Sequence, residues 1–500
     1  RGILVDSKAV EGALKIVNHI TKKLEKELTE ITDKAVTSGG EVARILAWCK
    51  QTGAYWLVNL QAGHIEDCLK QFYKYDKDKN PIFTDDDSAK VYRVLKIRQL
   101  LSRASTKKLI KFRDCRSPDE RIRCLLQYHG AGTGRWAGRG VQPQNFPRGA
   151  MDLNDKIHGM SANETVDALL TCITHGDSEL LELHFGDPME AVASALRGMF
   201  IASPGKKFFV ADFAAIEARV LMWLCGQMDA VESFYAFDNG KGVDIYCVMA
   251  SKIYGMPITK ADKDERQQGK VVILGCGYQM SGGALQVQAE QNYNVIISRE
   301  RANELVDIFR KTYPLVPAFW KEIEWAAVRA VKYKTSTEII SGNGIRIGFQ
   351  YVTDDAGAWL AMILPSNRKL WYYQPGLETK TITYMDKETG EPKTFQKESL
   401  YYSGRNNKKG GAWGRVFTYG GMLTENAVQA IARDLMVAAM RRVEKENFEI
   451  VLTVHDELLA EADESRDHKE FEKLVAGPSP EWAVGCPVSA EGWSGRRYRK

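Results

Sequence analysis

The stretch Phe208-Phe-Val-Ala-Asp212-Phe-Ala-Ala-Ile-Glu217-Ala-Arg219-Val-Leu221 decides how the rest of the chain is read. Lys206–Ala211 reads as an apolar strand that runs straight into a carboxylate. Ile216–Trp223 then shifts to helical periodicity. A strand end fixes Asp212 rigidly and leaves its side chain at an edge. Taken alone, an Asp just before a helix also reads as an ordinary N-cap.

A second stretch resembles the first in logic: Glu449-Ile-Val-Leu-Thr-Val-His455-Asp456-Glu457-Leu-Leu-Ala-Glu461. An apolar, β-branched strand breaks at a polar trio and then returns apolar. Two short strands therefore meet at His455-Asp456, and an Asp in so tight a hairpin projects from the sheet edge. A plain turn aspartate is the bland alternative. A His-Asp phosphohydrolase is excluded, because it needs further metal-binding histidines and the chain has only 8 His, with no suitable cluster. Two strand-end carboxylates can share two divalent cations about 3.5–4 Å apart. Mg²⁺ prefers oxygen ligands and substrate phosphates. Such a pair would activate a hydroxyl and neutralise a leaving pyrophosphate.

The third segment is Asp264-Glu-Arg266-Gln-Gln-Gly-Lys270-Val-Val-Ile-Leu274-Gly-Cys-Gly-Tyr278-Gln-Met280. Arg266, Lys270, Leu274 and Tyr278 recur every four residues, a step that drifts only about 40° on a helix. One stripe thus runs from cationic to apolar to aromatic, which suits a nucleotide with its phosphates at the cations. The alternative is an amphipathic helix with a cationic edge. Cations at a helix start oppose its dipole, at a cost of a few tenths of a kcal/mol, roughly. Gly275 and Gly277 cost about 1 kcal/mol each in a helix interior. They suit a segment that bends or admits a base pair.

The chain of 500 residues is too long for one core and implies two to four subdomains. It is 44% hydrophobic and 27% charged, which excludes a disordered tail or a fibrous protein. No apolar run approaches the roughly 18 residues a membrane helix needs. The net charge of +5 does not by itself indicate nucleic-acid binding, although a basic cleft and an acidic exterior fit within it. The nine cysteines have no zinc spacing and read as reduced thiols in a cytosolic compartment. Asn163-Glu-Thr165 matches a glycosylation sequon by chance, with no secretion signal beside it. The start at Arg1 without Met suggests a fragment.

Residues 1–112 read as mostly helical, with Leu14, Val17, Ile20, Leu24 and Leu28 at helical spacing. Asp76–Asp87 reads as an acidic loop and Val91–Leu101 as a helix. Lys107 and Lys108 are either a solvated helix face or a phosphate-gripping turn. Residues 113–210 are expected to mix strands and loops, with a small helical insertion over Met151–Gly186. Residues 226–364 are expected to be largely helical. Ile382–Glu398 resembles a hairpin, Ser403–Gly414 a loop, and Gly421–Val443 a long helix.

In their order, the three stretches resemble motifs A, C and B of the family A DNA polymerases, the DNA polymerase I type; B lies between A and C in the chain. Gly132-Thr-Gly-Arg135-Trp-Ala-Gly-Arg-Gly-Val-Gln-Pro-Gln144-Asn145-Phe-Pro147 looks like the family's template–primer stretch. Its glycines do not make a dinucleotide fingerprint, since the third would fall at Arg135. Gly420-Gly-Met-Leu-Thr-Glu425-Asn426-Ala-Val-Gln429 resembles the family helix whose polar residues touch DNA. The resemblance covers nearly the whole chain. Its style, including Leu364-Pro-Ser-Asn-Arg-Lys-Leu-Trp371, is similar to bacteriophage members.

The resemblance implies an α+β right-hand fold with an antiparallel palm sheet, helical fingers and a helical thumb. Residues 1–112 would be thumb, 113–222 and 415–500 palm, and 223–414 fingers. Asp212 and Asp456 would be metal-binding carboxylates, joined by the backbone carbonyl of Phe213, with two Mg²⁺ ions or Mn²⁺ in their place. Glu217 would exclude a ribose 2′-OH. Arg266 and Lys270 would bind the triphosphate, with Lys270 also catalytic. Tyr278 would stack beside the nascent base pair. Lys107, Lys108, Arg135, Gln144, Asn145, Gln429 and His455 would contact DNA, and Glu457 would support Asp456.

Four departures stand out: Leu274 where an aromatic is usual, Gln279 where Gly is common, Ala215 for a polar residue, and a shift of the Asn expected one turn before Gln429, with Glu425 at i−4, Asn426 at i−3, and either one open to face DNA. The expected partners are primer–template DNA and dNTPs, with no membrane, for a monomer in the cytoplasm of a bacterial cell, phage-infected or not. An upstream exonuclease domain or a processivity partner would be additional. Glu217 argues against a single-subunit RNA polymerase, which carries a small residue there. The intact carboxylates and Lys270 argue against a non-catalytic DNA-binding remnant.

Overall fold

The computed structural model describes residues 1–499 apart from 78–79, 103–104, 147–150, 152–158, 294, 386–389 and 407–410. The chain opens with β1 (Ile3–Leu4), α1 (Ser7–Ile31), α2 (Val42–Gln51) and α3 (Ala62–Gln71). The hairpin β2 (Lys74–Tyr75) and β3 (Pro81–Ile82) follows, then α4 (Asp86–Leu101) and α5 (Ser105–Asp114). The Asp6 side chain caps α1 by accepting from the Ala9 amide at 3.1 Å. The acidic stretch read as a loop instead holds most of that hairpin, and its Asp85 caps α4 through the Ser88 amide at 2.6 Å.

Short pairs β4 (Arg121–Ile122), β5 (Leu126–Gln127) and β6 (Ala137–Gly138) precede three helices: α6 (Ala162–His175), α7 (Ser178–Phe185) and α8 (Pro188–Ala195). The expected mix of strands and loops over 113–210 is therefore corrected: much of it is helical. The expected insertion over Met151–Gly186 holds α6 and α7, while residues 152–158 lie outside the described residues. Ser161 and Glu164 form a reciprocal capping box at the start of α6.

β7 (Lys206–Phe213) leads into α9 (Ile216–Cys225), α10 (Met228–Asp238), α11 (Ile245–Tyr254), α12 (Lys263–Cys276), α13 (Gly282–Tyr293), α14 (Arg299–Thr312) and α15 (Leu315–Tyr333). Helix then gives way to β8 (Ser336–Ile340), β9 (Arg346–Asp354), β10 (Gly357–Ile363), β11 (Lys369–Met385), β12 (Pro392–Asn406) and β13 (Ala412–Phe417). These form one six-stranded antiparallel sheet. The expectation of helix to residue 364 is thus corrected from Ser336 onward, and the segment read as helical fingers carries a sheet. Ile347 and Phe349 of β9 alternate into the core with period two, the signature of a strand. The Ser403–Gly414 loop is also corrected, because 403–406 and 412–414 are strand; residues 407–410 lie outside the described residues.

The chain closes with α16 (Gly420–Lys445), β14 (Glu449–Val454), β15 (Glu457–Asp463), α17 (His468–Ala476) and β16 (Ala490–Gly495). β14, β15, β7 and β16 make a four-stranded antiparallel sheet in that order. Both its faces are buried. Phe209, Ala211 and Phe213 of β7 enter a core shared with α9–α16. Phe208 and Val210 enter a second core with the first half of α1, α6 and α8. A third core joins the second half of α1 to α2–α4. No helix of the described residues is long and apolar enough to cross a membrane.

Candidate active site

The register of the four-stranded sheet brings the two sequence-predicted carboxylates together. Asp212, near the end of β7, lies opposite Glu457 at the start of β15. The Phe213 amide donates to the Asp456 carbonyl at 3.2 Å. Val454 pairs with Glu457, so His455 and Asp456 alone make the turn. His455 has φ of 55°, the left-handed region that such hairpins usually give to Gly. A histidine held there stores strain of the kind that collects at functional sites. Asp212 is not the N-cap of α9: that position is Ala215, with φ of 48° and no side-chain capping bond.

Arg135 stands between Glu217 and Asp456. Its Nη2 donates to Glu217 Oε1 at 2.6 Å and to Asp456 Oδ1 at 3.2 Å. Burial lifts the Asp456 carboxyl above its ordinary range; Arg135 opposes this, and Glu217 and Asp212 add to the rise. Burial also raises the Glu425 carboxyl, again with a contribution from Glu217. Several carboxylates therefore face one guanidinium in a partly buried space. Asp212 and Asp456 offer the oxygen donors that a hard divalent cation takes, as a pair and not a cage, so further oxygens would come from backbone or substrate. Among the described residues, no group of three or more His, Cys, Asp or Glu side chains could hold a metal. The Phe213 side chain is buried in the core, so only its backbone could take part.

The predicted stripe is on α12 only in part. Arg266, Lys270 and Leu274 are half-buried on the helix, whereas Val271, Val272, Ile273, Gly275 and Cys276 are buried; α12 ends at Cys276, so Tyr278, also half-buried, lies in the turn that follows. Arg266 Nε donates to Asp244 Oδ2 at 2.9 Å, and Asp244 also caps α11 through the Tyr246 and Cys247 amides. The Tyr278 hydroxyl donates to Glu217 Oε2 at 3.1 Å. Burial of that hydroxyl, then Glu217, pushes its pKa well up.

Gly275 lies in α12 and Gly277 just past its end, where the chain turns, and both sit in tight surroundings. A Cβ on Gly275 would lie 2.7 Å from Gln288 Oε1, and one on Gly277 2.7 Å from Leu221 Cδ2. A side chain at either position would require those neighbours to shift. The Gly420-Gly421 pair is as tightly placed: a Cβ on Gly421 would meet the Tyr278 carbonyl oxygen at 2.3 Å. Gln279 keeps a φ of 65°, and its Oε1 accepts from the Gly421 amide at 3.0 Å. A side chain thus ties the Tyr278 turn to α16 at a position where Gly would offer only backbone freedom.

The remaining predicted contacts divide. A cleft is lined by Arg135, Trp136, Gln144, Asn145, His455 and Asp456. Gln144 Nε2 donates to the Thr453 carbonyl at 3.2 Å, and the Gln144 backbone carbonyl lies 3.3 Å from His455 Nε2. Asn145 is exposed, its amide on Gln142 at 3.1 Å. Gln429 Nε2 donates to Glu425 at 3.1 Å. Asn426 instead donates to the Tyr372 hydroxyl at 3.0 Å, so Glu425 faces the site and Asn426 the six-stranded sheet. Lys107 is exposed. Lys108 turns inward: its Nζ donates to the Val141 carbonyl at 2.8 Å and lies over the Phe146 ring, so a phosphate-gripping role for it is corrected to anchoring this loop. Glu457 is buried and accepts from the Tyr498 hydroxyl at 2.6 Å, which holds the β15 end of the hairpin.

Sequence reading passed over Asp244, whose only signal was its place before a helix, and Tyr498, which had none. The DNA polymerase family A model matches residues 14–339. A DNA polymerase of Bacillus phage SP02 is 32% identical over 503 aligned residues, spanning 100% of this chain and 69% of that protein. A DNA polymerase of Mycobacterium phage D29 is 34% identical over 134 residues, 27% of this chain and 20% of its own. Among solved structures, the POL domain of Pol1 from M. smegmatis, in complex with DNA primer-template and dNTP, is similar in fold. Its TM-score is 0.54 at 16% identity, covering 99% of this chain and 67% of that one. The family match over more than half of the chain, and a relative aligned along all of it, carry one conclusion: the chain belongs to DNA polymerase family A, and its activity is template-directed DNA synthesis.

Proposed function

We propose that the Asp212–Asp456 pair is the centre of nucleotide addition, with Arg266, Lys270, Tyr278 and Glu217 forming the dNTP site. The observation that carries this reading is the register of β7 against β15, which sets both carboxylates at one sheet edge beside Glu217 and the Tyr278 hydroxyl. Family A polymerases depend on metal ions. Two Mg²⁺ or Mn²⁺ ions held by Asp212, Asp456 and the Phe213 carbonyl would activate the primer 3′-hydroxyl and neutralise the leaving pyrophosphate.

The side chains do the rest. Arg266, braced by Asp244, and Lys270 receive the triphosphate at the cationic end of the α12 stripe. Tyr278 lies in the turn just past its far end and presents a ring to the base pair. Its hydroxyl holds Glu217 in the space a ribose 2′-OH would need. Arg135 and Gln429 reach the primer–template minor groove, so Arg135 exchanges its carboxylate partners for DNA. Gln144, Asn145 and His455 line the approach to the primer terminus, and Lys107 offers a phosphate contact. Residues 1–112 serve as thumb, 113–222 and 415–500 as palm, and 223–414 as fingers, in a monomer. Charge stabilisation and positioning, rather than covalent catalysis, lower the barrier.

Primer extension with matched dNTPs and rNTPs tests this. Template-dependent extension with dNTPs and strong exclusion of rNTPs is expected. Preferential use of rNTPs would support an RNA polymerase instead.

A further inference from the structure

The six-stranded sheet has two unlike faces. One face enters the core through Ile347, Phe349, Leu360, Met362, Leu370 and Leu400. The other face carries rings. Residues directly opposite in a sheet share a face, and residues two apart do as well. Trp359 pairs with Tyr373, Ser403 with Arg415, Arg405 with Trp413, and Tyr401 with Phe417. Tyr373 pairs in turn with Ser403. The same face therefore presents Trp359, Trp371, Tyr373, Tyr401, Trp413 and Phe417. Trp371 is 51% and Trp413 67% exposed, an unusual placement for two such large apolar rings.

Cations alternate with these rings. Lys369 lies over Trp371, Arg415 over Tyr401 at 4.8 Å, and Lys380 over Phe417. Arg405 is exposed beside Trp413. Three carboxylates share this face: Glu378 is paired with Arg415, Glu338 with Arg346, and Asp354 accepts from the Trp359 indole at 3.1 Å, which leaves Lys369, Lys380 and Arg405 in excess. Flat exposed rings framed by excess positive charge suit bases that stack while the backbone meets the cations. An apolar protein partner would gain nothing from the cations, and duplex DNA would hide its bases from the rings.

The sheet is also joined firmly to the proposed site. β13 passes through Thr418 and Tyr419 straight into α16, which carries Glu425 and Gln429. Asn426 of α16 donates to Tyr372, on the core face of β11. Arg368, in the turn before β11, donates to Asp434 at 2.7 Å and to the Ala430 carbonyl at 2.9 Å. The single-stranded DNA that a polymerase must manage is the template not yet copied. We infer that the exposed face of this sheet binds the single-stranded template ahead of the primer terminus. This rests on the polymerase reading and adds to it a second DNA surface, outside the nucleotide site.

The test compares two primer–templates with the same duplex, one with a template overhang of about 2 nucleotides and one of about 15, a span sized to single-strand binding sites. The wild-type chain should bind the long overhang about tenfold more tightly, the effect of one or two stacked bases. Trp371→Ala combined with Trp413→Ala should abolish that preference. Its affinity and single-nucleotide insertion rate on the short overhang should stay within about twofold of wild type. Arg405→Ser combined with Arg415→Ser should reduce the salt dependence of long-overhang binding while keeping the wild-type melting temperature. Equal affinity of the wild type for both substrates, or a preference that survives both double variants, would overturn the inference and leave the face to a protein partner. Failure of the wild type to extend the short-overhang substrate would instead count against the nucleotide site.

Discussion

Arg135 donates to Asp456 at 3.2 Å, so a guanidinium stands at a carboxylate that we assign to a divalent cation. The same nitrogen holds Glu217 at 2.6 Å. Both carboxylates are only partly exposed, and Asp212 and Glu217 add negative potential at Asp456. A cation arriving at Asp456 must compete with Arg135. Arg135→Ala should therefore tighten Mn²⁺ binding in the absence of DNA by about tenfold, the size of one charge-assisted hydrogen bond. Titration calorimetry with Mn²⁺ alone reads this. Unchanged or weaker binding would mean that Arg135 and the cation do not share the site. The same variant should bind primer–template more weakly.

Glu217 is held by two donors, Arg135 and the Tyr278 hydroxyl. Glu217→Ala opens the space beside the sugar and should raise the rNTP-to-dNTP insertion ratio by at least about tenfold. Tyr278→Phe keeps the ring but frees one side of the carboxylate, so it should give a smaller change in the same direction. An unchanged ratio in Glu217→Ala, read by single-nucleotide insertion, would remove Glu217 from the sugar pocket.

Leu274 is the one position from Val271 to Gly277 that is not buried, which places it on the open side of α12. It offers no hydroxyl to a sugar lacking its own 3′-OH. A dideoxy substrate should then leave nearby polar groups unpaired, at a cost of about 1–3 kcal/mol. Leu274→Tyr should relax discrimination against dideoxynucleotides by at least about tenfold. Insertion kinetics with matched dNTP and ddNTP check it, and an unchanged ratio would contradict it.

Arg219 is buried and meets Asp238 through two bonds of 2.6 and 2.7 Å. It also reaches the Pro487 carbonyl at 3.2 Å and lies over the Phe234 ring. Asp238→Ala would leave the guanidinium short of a counter-charge, a loss of about 3–5 kcal/mol. A clear fall in melting temperature is expected, and a melt matching wild type would contradict this account of the pair.

The candidate catalytic stretches were legible because each joins a local pattern to an abrupt chemical change. Phe208–Ala211 is an apolar run that ends on Asp212, and Ile450–Val454 ends on His455-Asp456; a two-residue turn forces that pair to the sheet edge. The four-residue spacing of Arg266, Lys270 and Leu274 was legible because helical geometry alone aligns it, whereas the end of α12 before Tyr278 was not. What stayed hidden depends on distant packing. Nothing local distinguishes Lys108 from Lys107, yet one is turned into the 141–146 loop. Arg135 meets Asp456 across 321 positions of chain. The surroundings of Gly275 and Gly277 are set by side chains of other helices, Gln288 and Leu221. β10 carries an apolar run short enough to read as helix, which pairing with its neighbours resolves, whereas the period-two alternation of Ile347, Phe349 and Tyr351 in β9 is a local strand signal that the helical reading of 226–364 passed over.

The most direct test of the Asp212–Asp456 assignment is single-turnover dNTP insertion by Asp212→Asn and Asp456→Asn on a primer–template whose binding is measured in parallel. Each change removes a charge at the sheet edge while most DNA affinity comes from phosphate contacts elsewhere. Both variants should lose insertion by at least about a thousandfold while binding DNA within about tenfold of wild type. Insertion within about tenfold of wild type in either variant would contradict the assignment.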